Sequence, residues 1–118
     1  MSESIHDLVR VYFEAWNEHD DKHRQAILAA LFAEDAEIID PDWTAVGRPE
    51  ITVAIGLARQ KLGELALGLG EVISAHHEAA LFSWTLARPG TDAAPVATGY
   101  GTISIGNGLI RQAFNFFG

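Results

Sequence analysis

The sequence predicts a single α+β domain, with helices in its first half and an antiparallel meander of strands in its second half. Apolar residues before position 63 recur at helical spacing, whereas from Glu64 onward they alternate with a period of two. The 118 residues (1–118) have the length of one domain, and a chain of that size can bury one hydrophobic core.

Three helices are predicted in the first half. The first helix is predicted to end at the polar residues 17–21. Its apolar residues form one stripe, which consists of Ile5, Leu8, Val9, Tyr12, Phe13 and Trp16. The second has a broad apolar face over residues 27–32. The third opens near Pro49, where a missing N–H costs nothing, and stops at Gly63. Between the last two helices, Glu34 and Asp35 predict a turn, and residues 37–40 predict a short strand that Pro41 ends.

Four strands are predicted in the second half, over residues 71–75, 79–87, 96–105 and 109–117, with turns at 76–78, 89–95 and 106–108. Ala97, Gly99 and Gly101 share the predicted inner face of one strand. Their small size leaves volume facing the helices, which is either filled by helix side chains or open as a ligand cavity. The strand at 79–87 carries apolar residues on both faces, which indicates a homodimer through the outer sheet face.

Composition excludes several classes of function. Sixteen acidic residues against eight basic ones give a formal charge of −8, which argues against nucleic acid and against anionic membranes as partners. The chain has no cysteine, and no apolar run reaches the roughly 18 residues of a membrane span. Its start has no basic segment typical of a signal peptide, so we expect a soluble cytoplasmic protein. The scattered histidines favour solvated side chains over a metal site, and no cofactor motif is present.

Two polar residues are candidate catalytic groups. Asp40 ends the short strand before Pro41, and a carboxylate in an apolar mouth with few donors suits a general acid or base. The alternative is that the Asp-Pro pair only initiates a turn. Tyr12 lies on the first apolar stripe, so its phenol is predicted to point inward. It either donates a hydrogen bond to a ligand oxygen or is an ordinary core tyrosine.

A further set of residues is predicted to line a pocket for a small apolar molecule: Trp16, Phe32, Trp43, Asn115 and Phe117. The aromatic members could equally belong to a plain core. Asn115 shares its strand face with Phe117, so it lies in the pocket if that face points inward, and it is solvated if the register is shifted by one.

Four segments resemble the nuclear transport factor 2-like superfamily, which includes the SnoaL-like polyketide cyclases and ketosteroid isomerase. They are Tyr12-Phe13-Glu14-Ala15-Trp16-Asn17-Glu18-His19-Asp20, Leu31-Phe32-Ala33-Glu34-Asp35-Ala36, Asp40-Pro41 and Gly47-Arg48-Pro49-Glu50-Ile51. The resemblance runs from about Leu8 to the end of the chain. It implies a cone-shaped, cystatin-like fold, in which three helices pack on a strongly curved antiparallel sheet around a deep pocket and the sheet commonly forms a dimer interface.

The resemblance also implies roles for individual residues. In ketosteroid isomerase a tyrosine of the first helix donates to the substrate oxygen, and an aspartate before proline moves a proton at carbon; Tyr12 and Asp40 match these positions. The position of the isomerase's second acid corresponds to Gly101 in this sequence, and the side chain of the adjacent Tyr100 is expected on the opposite face of the strand. The resemblance therefore implies a SnoaL-like protein that binds a small apolar molecule and transfers a proton next to a carbonyl without a cofactor. The alternative is a non-catalytic binding or dimeric accessory module.

Overall fold

The computed structural model describes residues 2–90 and 94–118, so the predicted loop at 89–95 lies partly outside the described residues. It confirms the α+β architecture. The elements in chain order are α1 (Ser2–Asn17), α2 (Asp21–Leu31), β1 (Phe32–Ile39), β2 (Thr44–Val46), α3 (Arg48–Leu62), β3 (Ala66–His76), β4 (Ala79–Ala87), β5 (Ala97–Gly106) and β6 (Leu109–Phe117). Among the described residues, no helix is long and apolar enough to cross a membrane.

The six strands form one curved, open sheet in the order β2-β1-β6-β5-β4-β3. The meander from β3 to β6 is antiparallel, as predicted, while β1 lies parallel to β6. Glu34 and Asp35 do not form a turn between elements, because β1 continues through them. They lie where the pairing of β1 with β6 shifts register between Phe32 and Glu37, and both side chains are exposed. The residues therefore mark a bulge, which explains their turn-like composition.

The core lies between the three helices and the inner face of the sheet. The apolar stripe of α1 points into it as predicted: Val9 is fully buried, and Tyr12 and Trp16 are nearly so. The rings of Tyr12 and Phe13 both pack edge-on against Phe82 of β4, which ties the first helix to the middle of the sheet.

The glycines of β5 do not leave an open volume, and helix side chains do not fill it either. A Cβ atom at Gly99 would lie 2.2 Å from the Trp84 ring, and one at Gly101 would lie 2.7 Å from the Phe82 ring. Trp84 pairs with Gly99 and Phe82 pairs with Gly101 across β4 and β5, so each ring lies over the glycine opposite it. The small residues therefore accommodate the aromatic rings of the neighbouring strand.

One buried cation joins the end of α1 to the end of α3. Arg59 is 4% exposed, and its guanidinium donates to the backbone oxygens of Trp16 and Gly63 at 3.0 Å and also to that of Leu65. The side-chain amide of Asn17 makes two hydrogen bonds with the backbone of Leu67. Its Nδ2 donates to the carbonyl oxygen at 2.7 Å, and its Oδ1 accepts the N–H at 2.8 Å. These contacts set the distance between α1 and the start of β3, and thereby the width of the space between them.

Candidate functional site

A cavity of about 190 Å³ opens between α1, α3 and the inner face of the sheet. Most of its lining is apolar, and six of the seven predicted site residues border it: Tyr12, Trp16, Asp40, Trp43, Asn115 and Phe117. An apolar pocket with a few convergent polar groups is the usual form of a small-molecule site. This space is therefore the candidate site among the described residues.

Asp40 reaches the cavity from the turn that joins β1 to β2. Its backbone N–H donates to the carbonyl oxygen of Trp43 at 2.8 Å, and its carboxylate Oδ2 accepts the backbone N–H of Asp42 at 3.3 Å. Asp40 therefore forms a turn and also presents a half-buried carboxylate to the cavity.

Tyr12 is buried, and burial raises the pKa of its phenol to about 12. Side-chain contacts with Trp16 and Asn115 lower that pKa by smaller amounts, and the negative charge of Asp40 raises it. The phenol is consequently protonated at neutral pH and can act as a hydrogen-bond donor.

Asn115 joins Tyr12 to Asp40. The Tyr12 hydroxyl donates to Oδ1 of Asn115 at 3.2 Å, and Nδ2 of Asn115 donates to Oδ1 of Asp40 at 3.1 Å. The strand face that carries Ala113, Asn115 and Phe117 thus points inward, which is one of the two registers that the sequence allowed. Carboxylate, amide and phenol form one hydrogen-bonded chain along the cavity wall.

Three tryptophans border the cavity, and their indole nitrogens differ in environment. Trp84 donates from Nε1 to the backbone oxygen of Tyr100 at 3.0 Å. Trp16 is 6% exposed, and its Nε1 has no hydrogen-bond partner, although its N–H still acts on the phenol of Tyr12 by lowering its pKa. The Trp43 ring packs on that of Trp16 with centroids 6.2 Å apart. The two rings, tilted by 32°, together form an aromatic wall of the cavity.

One predicted lining residue lies elsewhere, and the prediction missed eight residues that line the cavity, of which Lys61 is the only charged one. Phe32 is fully buried outside the cavity, where its ring packs edge-on beneath that of Tyr12, because it begins β1 and does not belong to the apolar face of α2. Lys61 of α3 borders the cavity and was not predicted. Its position three residues after Ala58, on the apolar side of that helix, was the available signal.

The described residues contain no group of three or more His, Asp or Glu side chains that could hold a metal ion. His23 instead contacts the carboxylate of Glu18 at 2.7 Å on the surface, and His76 contacts His77 in the turn before β4. The polar groups that line the cavity are suited to proton transfer and hydrogen bonding.

Comparison with solved structures identifies proteins with the same fold. A presumed isomerase of the SnoaL-like family from Agrobacterium tumefaciens is 28% identical, with 100% of this chain and 99% of that chain covered and a TM-score of 0.89. A presumed polyketide cyclase from Sinorhizobium meliloti is 22% identical, with 92% and 93% covered and a TM-score of 0.71. A presumed ketosteroid isomerase from Kribbella flavida is 21% identical, with 98% and 78% covered and a TM-score of 0.69.

No curated protein sequence matches the chain. The SnoaL-like domain, however, matches residues 9–113, which include both candidate catalytic residues and every strand except the end of β6. The fold, the cavity and this match agree with the resemblance of the four sequence segments. The chain belongs to the SnoaL-like domain family within the nuclear transport factor 2-like superfamily.

Proposed function

We propose that the protein binds a small, mostly apolar ketone in this cavity and transfers a proton at the carbon next to the carbonyl. Asp40 is the general base and Tyr12 is the hydrogen-bond donor to the carbonyl oxygen. The observation that carries the proposal is the shared cavity: a carboxylate and a protonated, buried phenol border one apolar space and are separated by a single amide.

The proposed reaction has two steps. The Asp40 carboxylate takes a proton from the α carbon, and the C–H electron pair moves into the carbonyl group to give an enolate. The Tyr12 hydroxyl donates to the enolate oxygen, where negative charge develops. Asp40 then returns its proton, to the same carbon or to a conjugated one. The base and the donor are both side chains of this chain, so the steps as written need no cofactor.

The cavity volume supports a one- or two-ring substrate. An apolar cavity of about 150 Å³ binds benzene, and this cavity measures about 190 Å³. The indole rings of Trp16 and Trp43 each offer an aromatic face to a planar ring. A ligand of this size would place its carbonyl at Tyr12 and its apolar rings against the rest of the lining.

Hydrogen exchange tests the proposal directly. The protein is incubated in D₂O with 1-indanone, 2-tetralone and 2-cyclohexenone, and deuterium uptake at the α carbon is followed by NMR. We expect catalysed exchange with at least one of the ketones and a loss of about 100-fold or more in Asp40→Asn, since general-base catalysis contributes about 10²- to 10⁴-fold. Asp42→Asn, at the adjacent exposed carboxylate, is the matched control and should keep the wild-type rate. Equal rates in wild type and Asp40→Asn, or no exchange with any of the ketones, would contradict the proposal.

A second candidate function is ligand binding without chemistry. The hydrogen bonds that Asp40 accepts from Asn115 and from the N–H of Asp42 favour this alternative, because they also fit a structural role for the carboxylate. The same ketones distinguish the two functions. A pure binding protein would bind them with similar affinity in wild type and Asp40→Asn, and neither would accelerate exchange.

We also propose that a second copy of the chain covers the outer face of the sheet. Leu81, Tyr100 and Phe116 are 37–48% exposed on this face, and the Phe116 ring stacks on that of Phe114. The outward residues of β4 and β5 beside Leu81 and Tyr100 are uncharged serines and threonines, so this part of two such faces can meet without burying charge. Sedimentation should show a dimer that Phe116→Arg dissociates, while Val53→Arg, at an exposed residue of α3, should not. A wild-type monomer would contradict the proposal.

A further inference from the structure

The hydrogen-bonded chain of Tyr12, Asn115 and Asp40 has only one arrangement of protons while Asp40 is ionised. A carboxylate can only accept hydrogen bonds, so the amide group facing it must be Nδ2. This orientation places the carbonyl Oδ1 of Asn115 against the Tyr12 hydroxyl. Because Oδ1 can also only accept, the phenol must donate to it. The ionised base therefore fixes the direction of the Tyr12 proton, through an amide that contacts both.

Protonation of Asp40 removes this constraint. A carboxylic acid carries one O–H donor, and the amide can then rotate so that Oδ1 accepts from Asp40 and Nδ2 faces the Tyr12 oxygen. In this second arrangement the phenol oxygen accepts a bond from Asn115, and no other acceptor in the described part of the chain bonds the phenol proton. The proton is then free for an oxygen of the ligand.

We propose that Asn115 is a positioning residue that couples the protonation of Asp40 to the availability of Tyr12 as a donor. The inference rests on the proposed function, in which Asp40 gains its proton in the same step that creates the enolate. The C–H bond breaks, the O–H bond of Asp40 forms, and the electron pair comes to rest on the enolate oxygen. The amide turns at that moment, so the phenol donates most strongly when the oxygen is most negative.

The other groups around the carboxylate do not provide this coupling. The N–H of Asp42 donates to the second oxygen, Oδ2, and belongs to the backbone of the turn, which cannot rotate as an amide side chain can. The side chain of Asp42 is exposed, and Lys61 borders the cavity from α3. Neither side chain contacts the Tyr12 hydroxyl, whose side-chain hydrogen bond goes to Asn115.

Ligand binding as a function of pH tests the coupling without relying on turnover. The probes are 1-indanone and indane, which share a ring system and differ in the carbonyl oxygen, and their affinities are measured by quenching of tryptophan fluorescence from pH 4 to 9. In the wild type the ratio of ketone affinity to hydrocarbon affinity should rise as the pH falls and Asp40 becomes protonated. The expected rise is about two- to tenfold, the worth of one hydrogen bond.

The variants isolate the amide. Asn115→Leu removes both hydrogen bonds, so its affinity ratio should stay at the high value at every pH. Asn115→Ala serves the same purpose if the leucine variant does not fold. Gln112→Leu removes an amide from the outward face of the same strand and should behave like the wild type. An unchanged pH dependence in the Asn115 variants, or a flat ratio in the wild type, would overturn the coupling.

The outcome is separable from that of the proposed function. Hydrogen exchange that depends on Asp40, together with a flat wild-type affinity ratio, would refute the coupling and leave the proton transfer standing. A pH-dependent ratio that Asn115→Leu abolishes, together with no exchange on any ketone, would support the coupling and refute the proton transfer.

Discussion

The buried phenol of Tyr12 makes the stability of the protein depend on alkaline pH in a calculable way. Burial raises its pKa to about 12 in the folded state, whereas an exposed tyrosine has a pKa of about 10. The folded state therefore holds this proton more tightly than the unfolded state does. The stabilisation is fully present below pH 10 and is lost as the pH rises through 12. Two pKa units correspond to about 3 kcal/mol.

This prediction compares the wild type with Tyr12→Phe. The difference between their free energies of unfolding should be constant up to pH 9, because the phenol is neutral in both states. At pH 11 the wild type should have lost about 1.4 kcal/mol of unfolding free energy relative to Tyr12→Phe. Urea unfolding at each pH, followed by circular dichroism, measures it. Taking the difference between two proteins cancels the lysines and arginines that also titrate in this range.

Ultraviolet absorption at alkaline pH provides an independent check. The chain has two tyrosines, Tyr12 and the half-exposed Tyr100, so subtracting the titration of Tyr12→Phe from that of the wild type isolates one phenol. Tyr100→Phe is the control and should leave the late transition in place. If the isolated phenol titrates near pH 10, burial does not raise the pKa of Tyr12, and the explanation of its protonated state is refuted.

Three other predictions concern packing and polar contacts. Gly99→Ala should lower the free energy of unfolding by about 3 kcal/mol, because its Cβ would lie 2.1 Å from a backbone oxygen and 2.2 Å from Trp84. Gly68→Ala should be near neutral, since its Cβ meets only a threonine hydroxyl; equal effects of the two in urea unfolding would contradict this packing. Arg59→Met should cost about 3 kcal/mol, because several backbone oxygens lose their partner, whereas the exposed Arg10→Met should cost almost nothing. Phe116→Arg should halve the sedimenting mass, as described above.

The helices and the meander could be predicted because their signals are local. The stripe of α1 repeats over several turns, and the turns at residues 76–78 and 106–108 contain residues that take positive φ values, namely His77, Asn107 and Gly108. The strand β2 spans three residues, which is too short for any periodicity to appear. The parallel pairing of β1 with β6 joins residues more than 70 positions apart, so neither segment alone reveals it.

The sequence predicted six of the residues that line the cavity, but not the hydrogen bonds that join three of them. The apolar stripe placed Tyr12 inward, and the strand face placed Asn115 beside the cavity in one of two registers. That Asn115 reaches both Tyr12 and Asp40 depends on the pairing of β6 with β1, where Ile39 lies opposite Phe114. The glycines of β5 were misjudged for the same reason, since only the pairing with β4 shows that rings cover them.

A crystal structure of the protein with 1-indanone bound tests the central claim most directly. We expect the ring to lie against the indole of Trp16, with the carbonyl oxygen within about 3.2 Å of the Tyr12 hydroxyl and the α carbon within about 3.5 Å of an Asp40 oxygen. A bound ketone whose carbonyl points away from Tyr12, or whose α carbon is out of reach of Asp40, would contradict this prediction.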